Sequence, residues 1–393
     1  MNFKFTESQN ELRRQAREFV EAELAAGTFR VVSKALVAQS SIEFSRKMAE
    51  RGWIGLNWPK EYGGHGMGQV EKMIVLEEMF KYQAPVGYHF MGERQIGPAL
   101  MKFGTDWQRN HFLPKIITAE KGVMFCLLFS EPDAGSDLAA VSTTAIKEGD
   151  DYIINGQKVW TSEGHLADYG WLLAKTNFDE SLPKHRTCSE FIVDMKTPGI
   201  TIRPLINIAG EHIFNEVFFD NVRISKKYLV GQEDAGFKQI MAQMNYERSG
   251  IERLLQNYPV YSELKRFINE MDESEKTGEY FFWIRDKMAQ LEIEFTVGRL
   301  LCYSTAWSID QGEQPTSQAA ISKAFCTQFE QRLNDFAMEV IGPNSIIREG
   351  VKWMPLVVDV AACYLWGVSY TLQGGSVEIL KNIIAQRGLG LPR

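Results

Sequence analysis

Phe129-Ser-Glu-Pro-Asp-Ala-Gly-Ser-Asp137, followed by Asn155-Gly-Gln-Lys-Val-Trp-Thr-Ser162, decides how this chain is read. The first stretch is a polar turn directly after the apolar run Val123 to Phe129. That run predicts a buried strand, ended by Pro132-Asp133-Ala134-Gly135. In the second, Asp151-Tyr-Ile-Ile leads into Asn155-Gly156, which predicts a hairpin turn, with Lys158-Val-Trp-Thr-Ser as the outgoing strand. Two neighbouring strand ends would then present a serine turn and a tryptophan flanked by hydroxyls. Trp160 could stack on a flat aromatic ligand while Ser130, Ser162 and backbone N–H groups bond its heteroatoms. The competing reading makes Trp160 ordinary β-core and the turn merely a turn.

The chain has 393 residues, 45% hydrophobic and 24% charged, with a net charge of −7. Length and composition suit a globular protein of two or three domains. The interspersed charge argues against a nucleic-acid binder. No apolar run reaches membrane-spanning length, and Met1-Asn-Phe-Lys-Phe-Thr shows no export pattern. Five scattered cysteines without C-x-x-C spacing predict reduced thiols in a cytoplasmic protein. The histidines fall in no metal-ligand spacing, so no metal site is expected.

The organisation expected is an α+β chain of three parts. Residues 1–122 form an N-terminal helical domain opened by a Thr6-Glu-Ser-Gln9 capping box, with Leu12, Ala16, Phe19, Val20 and Leu24 on one face. Residues 123–235 form an antiparallel β-domain. Its turns are expected at Asn155-Gly156, Thr197-Pro-Gly199 and Asp220-Asn221. Residues 236–393 form a helical bundle. One long helix there starts at Pro315-Thr-Ser317 and stops at Gly342-Pro343, and a last helix covers about Glu378 to Gln386.

The two opening stretches resemble the acyl-CoA dehydrogenases, whose middle domain carries a T/S-E-P-x-A-G-S-D turn and a W-x-T/S strand against FAD. The resemblance extends over essentially the whole chain. It includes Pro59-Lys-Glu-Tyr-Gly-Gly64, Gly97-Pro-Ala-Leu-Met-Lys-Phe-Gly-Thr105, Leu113-Pro-Lys-Ile116, Gly374-Gly-Ser-Val-Glu-Ile379 and Ile384-Ala-Gln-Arg387. It implies α,β-dehydrogenation of a CoA thioester in lipid metabolism. A carboxylate takes the α-proton, the β-hydrogen leaves as hydride to flavin N5, and the electrons pass to an electron-transfer flavoprotein.

Carried over residue by residue, the resemblance places Phe129 and Ser130 on the flavin ring, Trp160 packed on it and Ser162 near N5. Gly375, Ser376 and Glu378 would serve the rest of the FAD, and Ser136 the CoA moiety. For Ser136 and Glu378 the plainer reading is a turn hydroxyl and a solvated carboxylate. Many members carry the catalytic glutamate in a Tyr-Glu-Gly-Thr motif near the C-terminus; here Gln373-Gly-Gly-Ser376 stands there, with Gly374 in the glutamate's place. The Gly374 N–H would still polarise the thioester carbonyl. Isovaleryl-CoA and long-chain acyl-CoA dehydrogenases carry the base on an earlier helix, and the matching stretch is Asn245-Tyr-Glu-Arg-Ser249. Glu247 is therefore the expected base and Arg248 a CoA contact, although a Glu-Arg pair is usually a solvated helix face.

Small residues at Gly374 and Gly375 suggest an acyl group branched or cyclic near the carbonyl, as in actinobacterial steroid side-chain enzymes; close helix packing explains them equally well. An Arg-x-x-Phe-Gly motif for the FAD diphosphate is missing from residues 265–283. The expected assembly is a homo- or heterotetramer, a dimer of dimers. The alternatives are the FAD-containing subunit of a heteromeric dehydrogenase and a flavin monooxygenase on the same fold.

Overall fold

A computed structural model describes residues 3–31, 39–248, 250–348, 356 and 358–392, with only the backbone for 245–248. The chain divides into two units. The first comprises Met1–Ser40, Met67–Val86 and Arg248–Arg393, and the second Ser41–Gly66 and Gly87–Glu247.

The first unit is helical. Thr6 opens the helix Glu7–Ala25 with the expected reciprocal cap: its hydroxyl accepts from Gln9 N at 3.2 Å, and Gln9 Oε1 accepts from Thr6 N at 3.0 Å. Ala16, Phe19 and Val20 are the buried residues of its apolar face. An ionic knot ties this helix to Gln69–Lys81 and to the 33-residue helix Gly278–Asp310. Glu77, almost fully buried, receives Arg13 Nη1 at 2.8 Å, Arg299 Nε at 2.7 Å and the Tyr303 hydroxyl at 2.6 Å. Those cations hold its carboxyl far below the usual range against the penalty of burial. Thr316–Ile341 ends where expected, because Gly342 turns the chain at φ +62°. The last helix, Val377–Ile383, continues without a break into a π-helical turn over Ile384–Gly388, so the helical segment covers the expected range from about Glu378 to Gln386.

The second unit is built on a sheet of eight strands: β1 (Phe125–Leu128), β2 (Thr144–Glu148), β3 (Asp151–Lys158), β4 (Tyr169–Lys175), β5 (Cys188–Asp194), β6 (Ile200–Ile206), β7 (His212–Ser225) and β8 (Leu229–Val230). The order is β6-β7-β3-β2-β4-β5-β8, with β1 paired to β4. Most pairings are antiparallel; β1–β4 and the single β2–β4 pair are parallel.

Successive side chains of a strand point to opposite faces. Leu172, Ala174, Phe191 and Val193 accordingly share one core with Tyr152, Ile154 and Val217. Trp171 and Ile192 pack on the other face with Leu100, Phe112 and Ile116 from the helices Gly97–Phe103 and Asp106–Ile117. Each fully buried aliphatic or aromatic side chain contributes about 1.5–3 kcal/mol.

Two expected turns are absent. Asn155-Gly156 lies inside β3, which runs unbroken from Asp151 to Lys158. Gly156, at φ +146°, marks a register shift against β7, and a Cβ there would lie 2.5 Å from Thr143 Oγ1. The dipeptide encodes a bulge here, not a hairpin. Asp220-Asn221 likewise lies inside β7, with Asn221 at φ +50°. The turn at Thr197-Pro-Gly199 does join β5 to β6, with Gly199 at φ +95°.

Candidate active site

Within the sheet unit, the two opening stretches are bonded to each other. Lys158, the last residue of β3, is fully buried. Its ammonium donates to Phe129 O at 3.1 Å and to Glu131 Oε1 at 2.7 Å. Val159 N donates to Ser130 O at 2.9 Å. The Glu131 carboxylate also accepts from Ser142 N, Ser142 Oγ and Thr143 N at 2.7, 2.7 and 2.9 Å. Lys158 and these donors hold the Glu131 carboxyl down at about 2 against burial, while burial pulls the Lys158 ammonium down to about 8. The serine turn is thus locked to the strand that delivers Trp160.

Immediately past Lys158 the backbone becomes strained. Trp160 has φ +59° and Glu163 φ +52°, conformations that bulky residues adopt rarely and at a cost. The Trp160 ring is 60% exposed and touches Phe214 edge-on at 5.7 Å. It is not ordinary β-core. Ser130 and Ser162 are half-buried, and their hydroxyls have no hydrogen-bond partner among the described residues. Ser136 is exposed on the turn.

Sequence reasoning missed Glu131, Lys158 and Asn215, although the first two lie inside the quoted stretches. Asn215 is fully buried and clamps the residue between Trp160 and Ser162. It receives Thr161 N on its backbone carbonyl at 3.1 Å and donates Nδ2 to Thr161 O at 3.0 Å. That orientation leaves Oδ1 for His212 Nε2 at 2.8 Å and Nδ2 for His165 Nδ1 at 3.2 Å, so His212 donates and His165 accepts. The two imidazoles stack at 4.0 Å.

The helix Gly236–Arg248 ends in Glu247 and Arg248, whose side chains lie outside the described residues.

In the helical unit, Gly374 and Gly375 are consecutive left-handed residues at φ +68° and +97°. The fully buried Lys323 donates to Tyr370 O at 3.2 Å and to Gly375 O at 2.8 Å, fixing the loop after the helix Val360–Tyr370. Ser376 caps Val377–Ile383, accepting from Ile379 N at 3.3 Å. Glu378 is exposed, and its carboxyl is lowered by its own backbone N–H and the Ser376 hydroxyl. An ionised Glu378 can accept from hydroxyl or amino groups, but it repels a phosphate.

These features suit a flavin. The exposed, strained Trp160 offers one π-face, and the hydroxyls of Ser130 and Ser162, unpartnered among the described residues, offer two bonding groups. The CoA and diphosphate contacts have no such direct signature.

The chain also matches known proteins. The chain matches the acyl-CoA dehydrogenase N-terminal domain over residues 6–120, the middle domain over 126–222 and the C-terminal domain over 234–389. It is 35% identical to the acyl-CoA dehydrogenase IpdE1 of Mycobacterium tuberculosis, over 89% of this chain and 88% of that protein. Among solved structures, the Tcur3481-Tcur3483 steroid ACAD aligns with a TM-score of 0.89 at 28% identity, covering all of both chains. The ChsE4-ChsE5 complex from M. tuberculosis aligns with a TM-score of 0.85 at 31% identity, again over all of both chains. This chain belongs to the acyl-CoA dehydrogenase family of oxidoreductases.

Proposed function

We propose that this chain carries out FAD-dependent α,β-dehydrogenation of an acyl-CoA thioester with Glu247 as the base. The observation that carries this reading is the Gly374-Gly375 pair. Its left-handed backbone, pinned by Lys323, is a conformation built for glycine. The loop Thr371–Ser376 carries no carboxylate, so in this reading the base comes from another element. The end of the helix Gly236–Arg248 supplies one at Glu247, the position it occupies in the isovaleryl-CoA type.

In this reading Glu247 takes the α-proton on its carboxylate, and the Gly374 N–H stabilises the enolate-like thioester oxygen. Trp160 packs on the flavin, Phe129, Ser130 and Ser162 bond its ring, and Ser136 and Arg248 hold the CoA portion. Gly375, Ser376 and Glu378 serve the remainder of the FAD, Glu378 toward adenosine hydroxyl or amino groups. Bound FAD supplies the hydride acceptor. An electron-transfer flavoprotein is the proposed oxidant of the reduced enzyme.

The solved relative named for steroids supports a bulky, ring-bearing acyl group, consistent with the small Gly374 and Gly375. The two-component names of both solved relatives also favour a heteromer in which this chain supplies the base. The missing Arg-x-x-Phe-Gly motif in residues 265–283 agrees, because a partner chain would then complete the diphosphate site.

The test is Glu247→Gln. Anaerobic bleaching of the flavin by an acyl-CoA should slow by about 100-fold with FAD still bound. Near-normal bleaching would overturn the assignment. A chain that is colourless alone and yellow only with a partner selects the heteromer.

A further inference from the structure

Glu190 is a lone acid in the otherwise apolar-to-neutral interior of strand β5, and it is fully buried. No cation reaches it among the described residues. Instead its two oxygens collect N–H groups from three neutral side chains. Trp171 Nε1 donates to Oε1 at 2.7 Å, Gln239 Nε2 to Oε2 at 2.8 Å, and Gln243 Nε2 to Oε1 and Oε2 at 2.8 and 3.0 Å. All three donors are themselves buried.

A buried acid without a counter-ion is costly, and burial pushes this carboxyl up to about 7. Four well-formed contacts offset that cost only if the arrangement is held rigidly. Gln239 is fixed further. Its Nε2 also donates to Val230 O at 3.1 Å, and its Oε1 lies against Gly231, where any Cβ would come within 1.9 Å. Val230 is the cross-strand partner of Glu190.

The two glutamines stand on the helix Gly236–Arg248. Residues 239, 243 and 247 are spaced by four, so they follow one another along one face, each about 6 Å beyond the last. The sheet therefore grips this helix one and two turns before Glu247. A helix has a radius of about 5–6 Å with its side chains, so a rotation of about ten degrees would displace Glu247 by about 1 Å. Displacements of that size cost catalysis about 100-fold.

We propose that Glu190 is a positioning residue: through Gln239 and Gln243 it sets the rotation and register of the helix that carries Glu247. It touches no reacting atom. This role rests on Glu247 being the base.

The experiment uses the FAD-loaded enzyme, with its partner chain where one is required. Three variants are compared with wild type: Gln243→Leu, Glu190→Leu and Glu190→Gln. Gln243→Leu is the milder disruption, since Glu190 keeps Trp171 and Gln239. The first readout is amide hydrogen exchange, which needs no substrate. Gln243→Leu and Glu190→Leu should exchange faster over residues 239–248 while β3, β4 and β7 keep wild-type protection. Unchanged protection over 239–248 overturns the grip.

The second readout is flavin bleaching, with whichever of octanoyl-CoA, isovaleryl-CoA and a steroid side-chain CoA thioester bleaches wild type fastest. The limiting rate should fall about 10- to 100-fold while half-saturation moves less than about twofold. Glu190→Gln, which keeps one carbonyl acceptor but turns an amide N–H toward one of the former donors, should recover part of that loss. A loss spread equally over rate and half-saturation, without recovery, marks a merely structural role and overturns the proposal. Adding Gln243→Leu to Glu247→Gln should cost nothing further. If Glu247→Gln alone bleaches normally, the base assignment fails, while hydrogen exchange still decides the grip.

Discussion

The Lys158 ammonium lies 2.7 Å from Glu131 Oε1, with the two side chains only 0% and 4% exposed. This buried pair joins the serine turn to the end of β3, two residues before Trp160. Removing one member leaves the other charge uncompensated in the interior, a loss of about 3–5 kcal/mol. Lys158→Met should therefore lower Tm strongly and release FAD. The double variant Glu131→Gln, Lys158→Met should recover part of that stability, because no charge is stranded. Thermal melts with the FAD-to-protein absorbance ratio check both.

Trp160 gives a prediction with opposite signs for fold and cofactor. At φ +59° the residue pays for its conformation, and its ring is mostly exposed. Glycine adopts that φ freely. Trp160→Gly should leave the cofactor-free protein as stable as wild type or about 1 kcal/mol more so. FAD retention should nonetheless fall. A drop in the Tm of the cofactor-free variant would show that the ring serves the core instead.

Local signals were legible in the sequence and long-range ones were not. The Thr6 capping box is closed by Gln9, three residues away, and needs nothing distant. The stop at Gly342 is similarly local. Asn155-Gly156 misleads because its outcome depends on distant strands: pairing with β7 and the closeness of Thr143 hold Gly156 in an extended bulge. Trp160, Ser130 and Ser162 stand out within the two quoted stretches, but nothing in their order shows the left-handed backbone at Trp160 or the exposure of its ring. Glu190 left a visible trace, a single acid in Cys-Ser-Glu-Phe-Ile-Val. Its partners, Gln239 and Gln243, lie some fifty residues further on, and only the fold brings them to it.

The loop at Gly374 should depend on Lys323, some fifty residues earlier in the chain. Lys323 Nζ bridges Tyr370 O and Gly375 O from a fully buried position. Lys323→Met keeps most of the apolar stem and removes both bonds. Each bond from a charged donor contributes about 1.5–3 kcal/mol. The variant should melt lower, and its flavin should bleach more slowly than that of wild type, because the Gly374 N–H is no longer fixed. Bleaching at the wild-type rate in a folded variant would dissociate the loop's position from catalysis.

Glu330 provides a test in which pH sets the sign. It is fully buried, and its Oε2 accepts from Asn257 N at 3.1 Å and Asn257 Nδ2 at 2.7 Å. Burial raises its carboxyl from the ordinary 4.5 to about 8. Between those values the folded chain holds a proton that the unfolded chain has released. Its contribution to stability is therefore fully present below pH 4.5 and is lost as pH rises toward 8. Glu330→Gln keeps the shape and an acceptor for Asn257, and it does not ionise. Relative to wild type, the variant should gain about 1 kcal/mol per pH unit across that window, with the gap levelling off above it. Urea unfolding at about pH 5, 6.5 and 8.5 brackets the window and measures the gap. A gap that stays constant over that series would mean that Glu330 is ionised in the folded protein throughout.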